Sequence, residues 1–153
     1  MIDVSVSQES RIKDLEDYLA NVYVLFNKAQ HYHWNVVGEN FKDMHEFFES
    51  QYTILFEMID EIAERIRAMG GFVNISMIEL TKRTTLDMGI VEEANDFKQM
   101  LRQLLLGYIE LVNQAKAILL PCEEVGDFAT KHLLSRNLLE HEKSIWMINS
   151  LLS

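Results

Sequence analysis

Apolar residues return every three or four positions along most of this chain, the spacing of helices with one buried face. The first such run takes in Ile12, Leu15, Leu19, Val22, Phe26 and Ala29. It predicts a helix from Ser7 or Ser10, both suited to N-capping, to about Trp34. NVVGEN follows as a loop pivoting on Gly38. A second stripe, Phe41, Met44, Phe48, Tyr52, Leu55, Ile59, Ile62 and Ile66, predicts a helix from about Asn40 to a glycine stop at Gly70-Gly71. A third helix is predicted over about Val91 to Leu120, acidic in its first turn and closed by Pro121. A fourth, about Glu124 to Leu151, carries Phe128, Leu133, Leu134, Leu138, Ile145, Ile148 and Leu152.

Some twenty residues, FVNISMIELTKRTTLDMGIV, separate the second and third helices, and SMIEL within them reads as a short helix led by Ser76. A short link, a long link and a short link predict an all-α fold. The layout is a ferritin-like four-helix bundle with one long crossover carrying a short helix. At 153 residues, the chain is expected to form a single domain over 1–153.

Composition narrows the function classes. The formal net charge of −10 repels phosphates and attracts cations. One cysteine, Cys122, makes no internal disulfide and fits a reducing compartment. No stretch approaches the roughly 20 apolar residues of a membrane span, and the N-terminus lacks the apolar core of a secretory signal. These features predict a soluble cytoplasmic protein with no membrane partner.

The candidate chemistry sits in and after HYHWNVVGENFKDMHEFF, which holds three of the five histidines. On the second helix His45 and Glu49 are spaced i,i+4, and so are Asp60 and Glu64. At about 100° per residue all four fall within roughly a 100° arc, shared with Thr53 and Phe56. Acids at this spacing commonly line a solvated face, and EIAERIR supplies basic neighbours that could pair with them. Mixed nitrogen and oxygen donors nevertheless suit iron, zinc or manganese. A di-iron site inside the bundle would draw Glu-x-x-His pairs from two helices. No histidine here follows a glutamate by three residues, so such a site is not expected. Nor can His45 and Asp60 share a metal within one chain, because fifteen residues of helix span about 22 Å. They can meet if two second helices pack antiparallel across a two-fold axis, which forms the contact twice.

The stretch HYHWNVVGENFKDMHEFFESQY…MIDEIAERI resembles the signature of the Dps mini-ferritin family, in His33-Trp34, Met44-His45, Asp60 and Ala63-Glu64-Arg65-Ile66. Weaker likeness extends to GDFAT and EKSIWMI. The resemblance implies a hollow homo-dodecamer built from two-fold dimers, with two iron ions (Fe2+/Fe3+) per inter-subunit site and no organic cofactor. It implies His33 and His45 of one subunit, with Asp60 and Glu64 of its partner, as ferroxidase ligands. Glu49 would be an additional metal carboxylate and Trp34 a neighbour of the ligands, while His31 does not fall on a ligand position. The implied reaction oxidises Fe(II) with hydrogen peroxide or dioxygen, detoxifying peroxide and storing ferric mineral. Glu123, Glu124 and Asp127 would line an iron-entry pore, although Phe128 and His132 stand where the family is often acidic.

Members that compact DNA often use a lysine-rich tail; here Asp3 and Glu9 face Arg11 and Lys13 and no lysine run ends the chain. DNA binding is therefore expected to be weak or absent. A DNA-binding, nucleoid-protecting shell in which iron chemistry is secondary is the alternative function. A helical interaction protein without metal chemistry is a third.

Overall fold

The computed structural model of the chain describes residues 4–153, with side chains from Gln8 onward. Five helices follow one another: α1 (Val4–Asn35), α2 (Phe41–Ala68), α3 (Met77–Arg83), α4 (Phe97–Glu124) and α5 (Phe128–Leu152). All regular structure among the described residues is helical. α1 lies against α2 and α4 against α5, α1 also packs on α4, and short α3 crosses α1 within the long link. The stripes explain this arrangement. Leu15, Leu19, Val22, Leu55, Ile62, Ile66, Leu104, Leu111, Leu134 and Ile148 all turn inward and are buried.

Four boundaries differ from expectation. α1 begins at Val4, so Ser10 lies inside the helix rather than capping it; the side chain of Ser7 and the whole of residues 1–3 fall outside the described residues. α4 begins at Phe97, six residues beyond Val91, with the Asp96 carboxylate accepting from Gln99 N–H at 3.0 Å. The residues before it are tied elsewhere. Val37 N–H donates to Ala94 C=O, and Val91 N–H donates to the Tyr32 hydroxyl. Glu92 and Glu93 consequently lie in the link and not in the first turn.

Pro121 does not end α4 either. The helix runs on to Glu124, because the buried Cys122 anchors the last turn and Gly126 supplies the true stop. Gly126 N–H bonds Glu123 C=O and Asp127 N–H bonds Cys122 C=O, a Schellman ending; Gly70 and Gly71 end α2 in the same way. Both Gly70 (φ +88°) and Gly126 (φ +74°) sit in the left-handed region that disfavours side chains. α5 then starts at Phe128, four residues after the expected Glu124, with Asp127 as its cap. By length and composition α4 could cross a membrane; here its apolar stripe, from Met100 to Ile118, faces the bundle.

Short α3 is capped by Ser76, whose hydroxyl accepts from Glu79 N–H. Arg83 at its end bridges Glu16 and Asp17 on α1, each at 3.0 Å. Buried Asn21 bonds Thr84, Thr85 and Gln114, so the crossover is held to α1 and α4 by polar contacts.

A small polar cluster is buried within this apolar core. Tyr18 of α1, Gln51 of α2, Tyr108 of α4, and Asn137 and His141 of α5 are all at most 2% exposed. His141 Nε2 and the Tyr18 hydroxyl are 2.7 Å apart, Asn137 donates to that hydroxyl, and the Tyr108 hydroxyl donates to Gln51 Oε1 at 2.7 Å. His141 Nδ1 has no partner. Among the described residues no carboxylate belongs to this cluster, whose single metal-grade donor is one histidine.

Two predictions follow from this packing. Burial lowers the His141 pKa from 6.5 to about 3. The folded chain therefore stays neutral at His141 while the unfolded chain binds a proton below pH 6.5, so stability falls as pH drops from 6.5 toward 3. His141→Gln should remove a slope of up to about 1.4 kcal/mol per pH unit, read from urea unfolding at pH 6.5 and 5. An unchanged slope would show that His141 is not the group responsible.

Asp127 caps α5 through Thr130 N–H and joins Arg11 at 3.1 Å and Arg65 at 3.0 Å. Burial raises its pKa, but the Thr130 hydrogen bonds and the two guanidiniums outweigh that and hold it below the ordinary value. Its contribution is present above the unfolded carboxylate pKa and is lost as pH falls through the lower folded value. Asp127→Asn should cost about 1–3 kcal/mol at pH 7 in chemical denaturation, with the deficit shrinking toward pH 2.

Candidate metal centre

The C-terminal turn of α1 and the N-terminal turns of α2 place two imidazoles face to face. His33 and His45 stack with ring centroids 3.8 Å apart and planes within 19°. Each bonds the other's backbone through Nδ1: His33 Nδ1 to His45 C=O at 2.8 Å, and His45 Nδ1 to His33 C=O at 2.7 Å. A carbonyl only accepts, so each Nδ1 carries the hydrogen. In the neutral ring each Nε2 therefore keeps its lone pair. This is the arrangement in which histidine ligates a metal, with its second nitrogen fixed by a backbone carbonyl.

Aromatic rings hold the pair from outside. Phe41 stacks on His45 at 5.0 Å, and Tyr52 meets His33 edge-on at 5.2 Å. Neither was among the residues expected at the site, although Phe41 stands one helical turn before His45 and that i,i+4 spacing was readable. His31 is separate. Its Nδ1 bonds Asn27 C=O in the preceding turn, and its ring meets the exposed Trp34 edge-on at 5.9 Å. Residues 31 and 33 lie about 200° apart around a helix, so the two rings face different ways.

Asp60 and Glu64 stand on the same strip of α2, toward its other end, and both are exposed. The negative charge of Asp60 and a hydrogen bond with it raise the Glu64 pKa. Two carboxyl groups close enough to trade a proton form a pair that a divalent cation would relieve. Glu49, one turn beyond His45, is exposed on the strip as well, with Thr53 and Phe56. Among the described residues no three metal-grade side chains of one chain converge. The histidine pair and the carboxylate pair each remain half a coordination sphere.

The strip is also apolar to an unusual degree for a surface. Phe56 (61% exposed) lies on the strip and Phe41 (43%) stacks on His45, while Trp34 (62%) is exposed on α1 next in sequence to His33. Exposed aromatic side chains of this size form the kind of patch that marks an interaction site.

The three residues expected at a pore meet different fates. Glu123 and Glu124 are exposed at the end of α4, with Glu123 bonded to Lys131 at 2.7 Å. Asp127 instead turns its carboxylate inward to Arg11 and Arg65. Phe128 beside them is 67% exposed.

Comparison with known proteins identifies the family. The ferritin-like domain profile matches residues 12–153. The chain is 33% identical over 134 residues to the DNA protection during starvation protein of Halobacterium salinarum, covering 88% of this chain and 73% of that one. It is 33% identical to the protein of the same name from Brevibacillus brevis, covering 90% and 91%. The solved Dps protein of Vibrio cholerae O1, described as a member of a superfamily of ferritin-like diiron-carboxylate proteins, superposes with a TM-score of 0.92. That pair shares 31% identity over 97% of this chain and 92% of the other. From the histidine pair at one end of α2, the acid pair at the other and these likenesses, the chain belongs to the Dps family of ferritin-like proteins.

Proposed function

We propose that this protein oxidises and stores iron at sites shared between two copies of the chain. The observation that carries the reading is the His33–His45 pair, with both Nδ1 hydrogens spent on backbone carbonyls and both Nε2 lone pairs available. Helical rise puts Asp60 about 22 Å from His45 along the same helix. An antiparallel partner α2 brings its Asp60–Glu64 pair to this histidine pair, and burying Trp34, Phe41 and Phe56 against the partner supports that packing. Glu49 completes the acceptor set. Twelve such chains, assembled from two-fold dimers, would enclose the ferric product.

Iron is the substrate here. Two Fe(II) ions give up one electron each to one hydrogen peroxide, which takes two protons and leaves as two waters. Oxidising a pair in one step avoids release of hydroxyl radical. Dioxygen is the alternative oxidant. The imidazoles bind the metal without adding charge, while Asp60, Glu64 and Glu49 offset the cation and the charge gained on oxidation. Glu123 and Glu124, at the exposed end of α4, are the carboxylates proposed to admit iron; Asp127 braces the corner behind them.

Anaerobic addition of Fe(II) followed by peroxide, monitored by ferric absorbance and particle mass, tests the reading. Accelerated oxidation in a large assembly is expected, and His45→Ala should slow it at least about tenfold. A protein-free rate, or a monomeric mass, would contradict it.

The relatives' name raises a second reading, a DNA-protecting shell. A charge of −10 per chain opposes it. A mobility-shift assay at physiological salt should show no retarded DNA; retardation there would favour the second reading.

A further inference from the structure

Away from α2, a cavity of about 290 Å³ opens between α1, α4 and the crossover. Its size sits at the small end of ligand sites. At its wall is Lys28, only 4% exposed. The Lys28 ammonium donates to Gln103 Oε1 at 2.9 Å, and no carboxylate oxygen of the described residues lies within 4.0 Å of it. A buried ammonium has three hydrogens to place, and leaving it without an anion is costly. Burial lowers its pKa, opposed by the charge of nearby Asp87, so an anion beside it would favour the charged form.

The rest of the wall decides which anion. Asp87 and Glu110 both line the cavity. Asp87 Oδ1 accepts from Gly89 N–H and Glu110 Oε1 from the Thr85 hydroxyl, leaving each carboxylate a second oxygen. Two negative groups disfavour a dianion such as phosphate, and they welcome a cation on the same molecule that bears the anion. Leu25, Leu86 and Leu106 complete the lining. Gly107 opposite Leu25 has no room for a side chain, since a Cβ would sit 2.4 Å from Leu25 Cδ1, so α1 and α4 are held close beneath the cavity.

We propose that this cavity binds a small zwitterion, an aliphatic α-amino acid, with its carboxylate on Lys28, its ammonium facing Asp87 and Glu110, and its side chain against the leucines. None of these residues belongs to the metal strip, so binding is independent of the iron reading.

Calorimetric titration of the assembled, iron-free protein with L-leucine, 4-methylpentanoate, 3-methylbutylamine and inorganic phosphate tests this. Leucine should bind saturably at one per chain, and the acid-only and amine-only analogues about tenfold or more weaker, the loss of one charge contact. Lys28→Met should abolish leucine binding while leaving ferrous oxidation unchanged. Asp87→Asn, a change at an exposed residue, should weaken leucine without weakening 4-methylpentanoate. Absence of leucine binding in the unaltered protein, equal binding of either analogue, preference for phosphate, or undiminished leucine binding in either variant would overturn the proposal.

Discussion

A straight helix cannot bring its own ends together, and that constraint shapes this molecule. α2 carries imidazole at one end of a strip and paired carboxylates at the other, about 22 Å apart by helical rise. Each end is built with care for its own chemistry. The histidines are locked by reciprocal bonds to each other's carbonyls, and the acids share enough charge to raise the Glu64 pKa. Neither end offers three donors. In the proposed dimer, a second strip running the other way would complete both half-sites.

Where paired Glu-x-x-His motifs would converge in a di-iron bundle, this chain places two tyrosines, two amides and a histidine. Their hydrogen bonds join α1 to α5 and α2 to α4. Burial of His141 makes this core sensitive to acid. Arg65 links the two regions: it follows Glu64 directly, yet its guanidinium reaches Asp127 at the α4–α5 corner. One residue of α2 faces the proposed metal strip, and the next ties that helix to the rest of the bundle.

Much of the fold could be read from periodicity, because burial of one helical face repeats locally. The α2 stripe, the glycine stop at Gly70 and the Ser76 cap of α3 all depend on residues within a few positions of each other. The errors have a different origin. α4 was expected too early because nothing near Val91 shows that its N–H bonds the Tyr32 hydroxyl, 59 residues away. Pro121 read as a terminator because the burial of Cys122 beyond it is a tertiary fact. At the candidate site, spacing on α2 marked the candidate donors of that helix. The stacking of His33 on His45 across a loop, the inward turn of Asp127 to Arg11 116 residues away, and the cavity over Lys28 have no local signal.

The central claim is that each metal site takes its histidines from one chain and its carboxylates from another. Co-assembly of His45→Ala subunits with Asp60→Ala subunits tests it directly. Each variant alone has every site damaged, but a mixed two-fold dimer regains one intact site of its two. With equal, random mixing the account predicts recovery to about a quarter of the unaltered peroxide-dependent Fe(II) oxidation rate, from near-background rates in the separate variants. Recovery absent from assemblies shown to contain both subunits would contradict it.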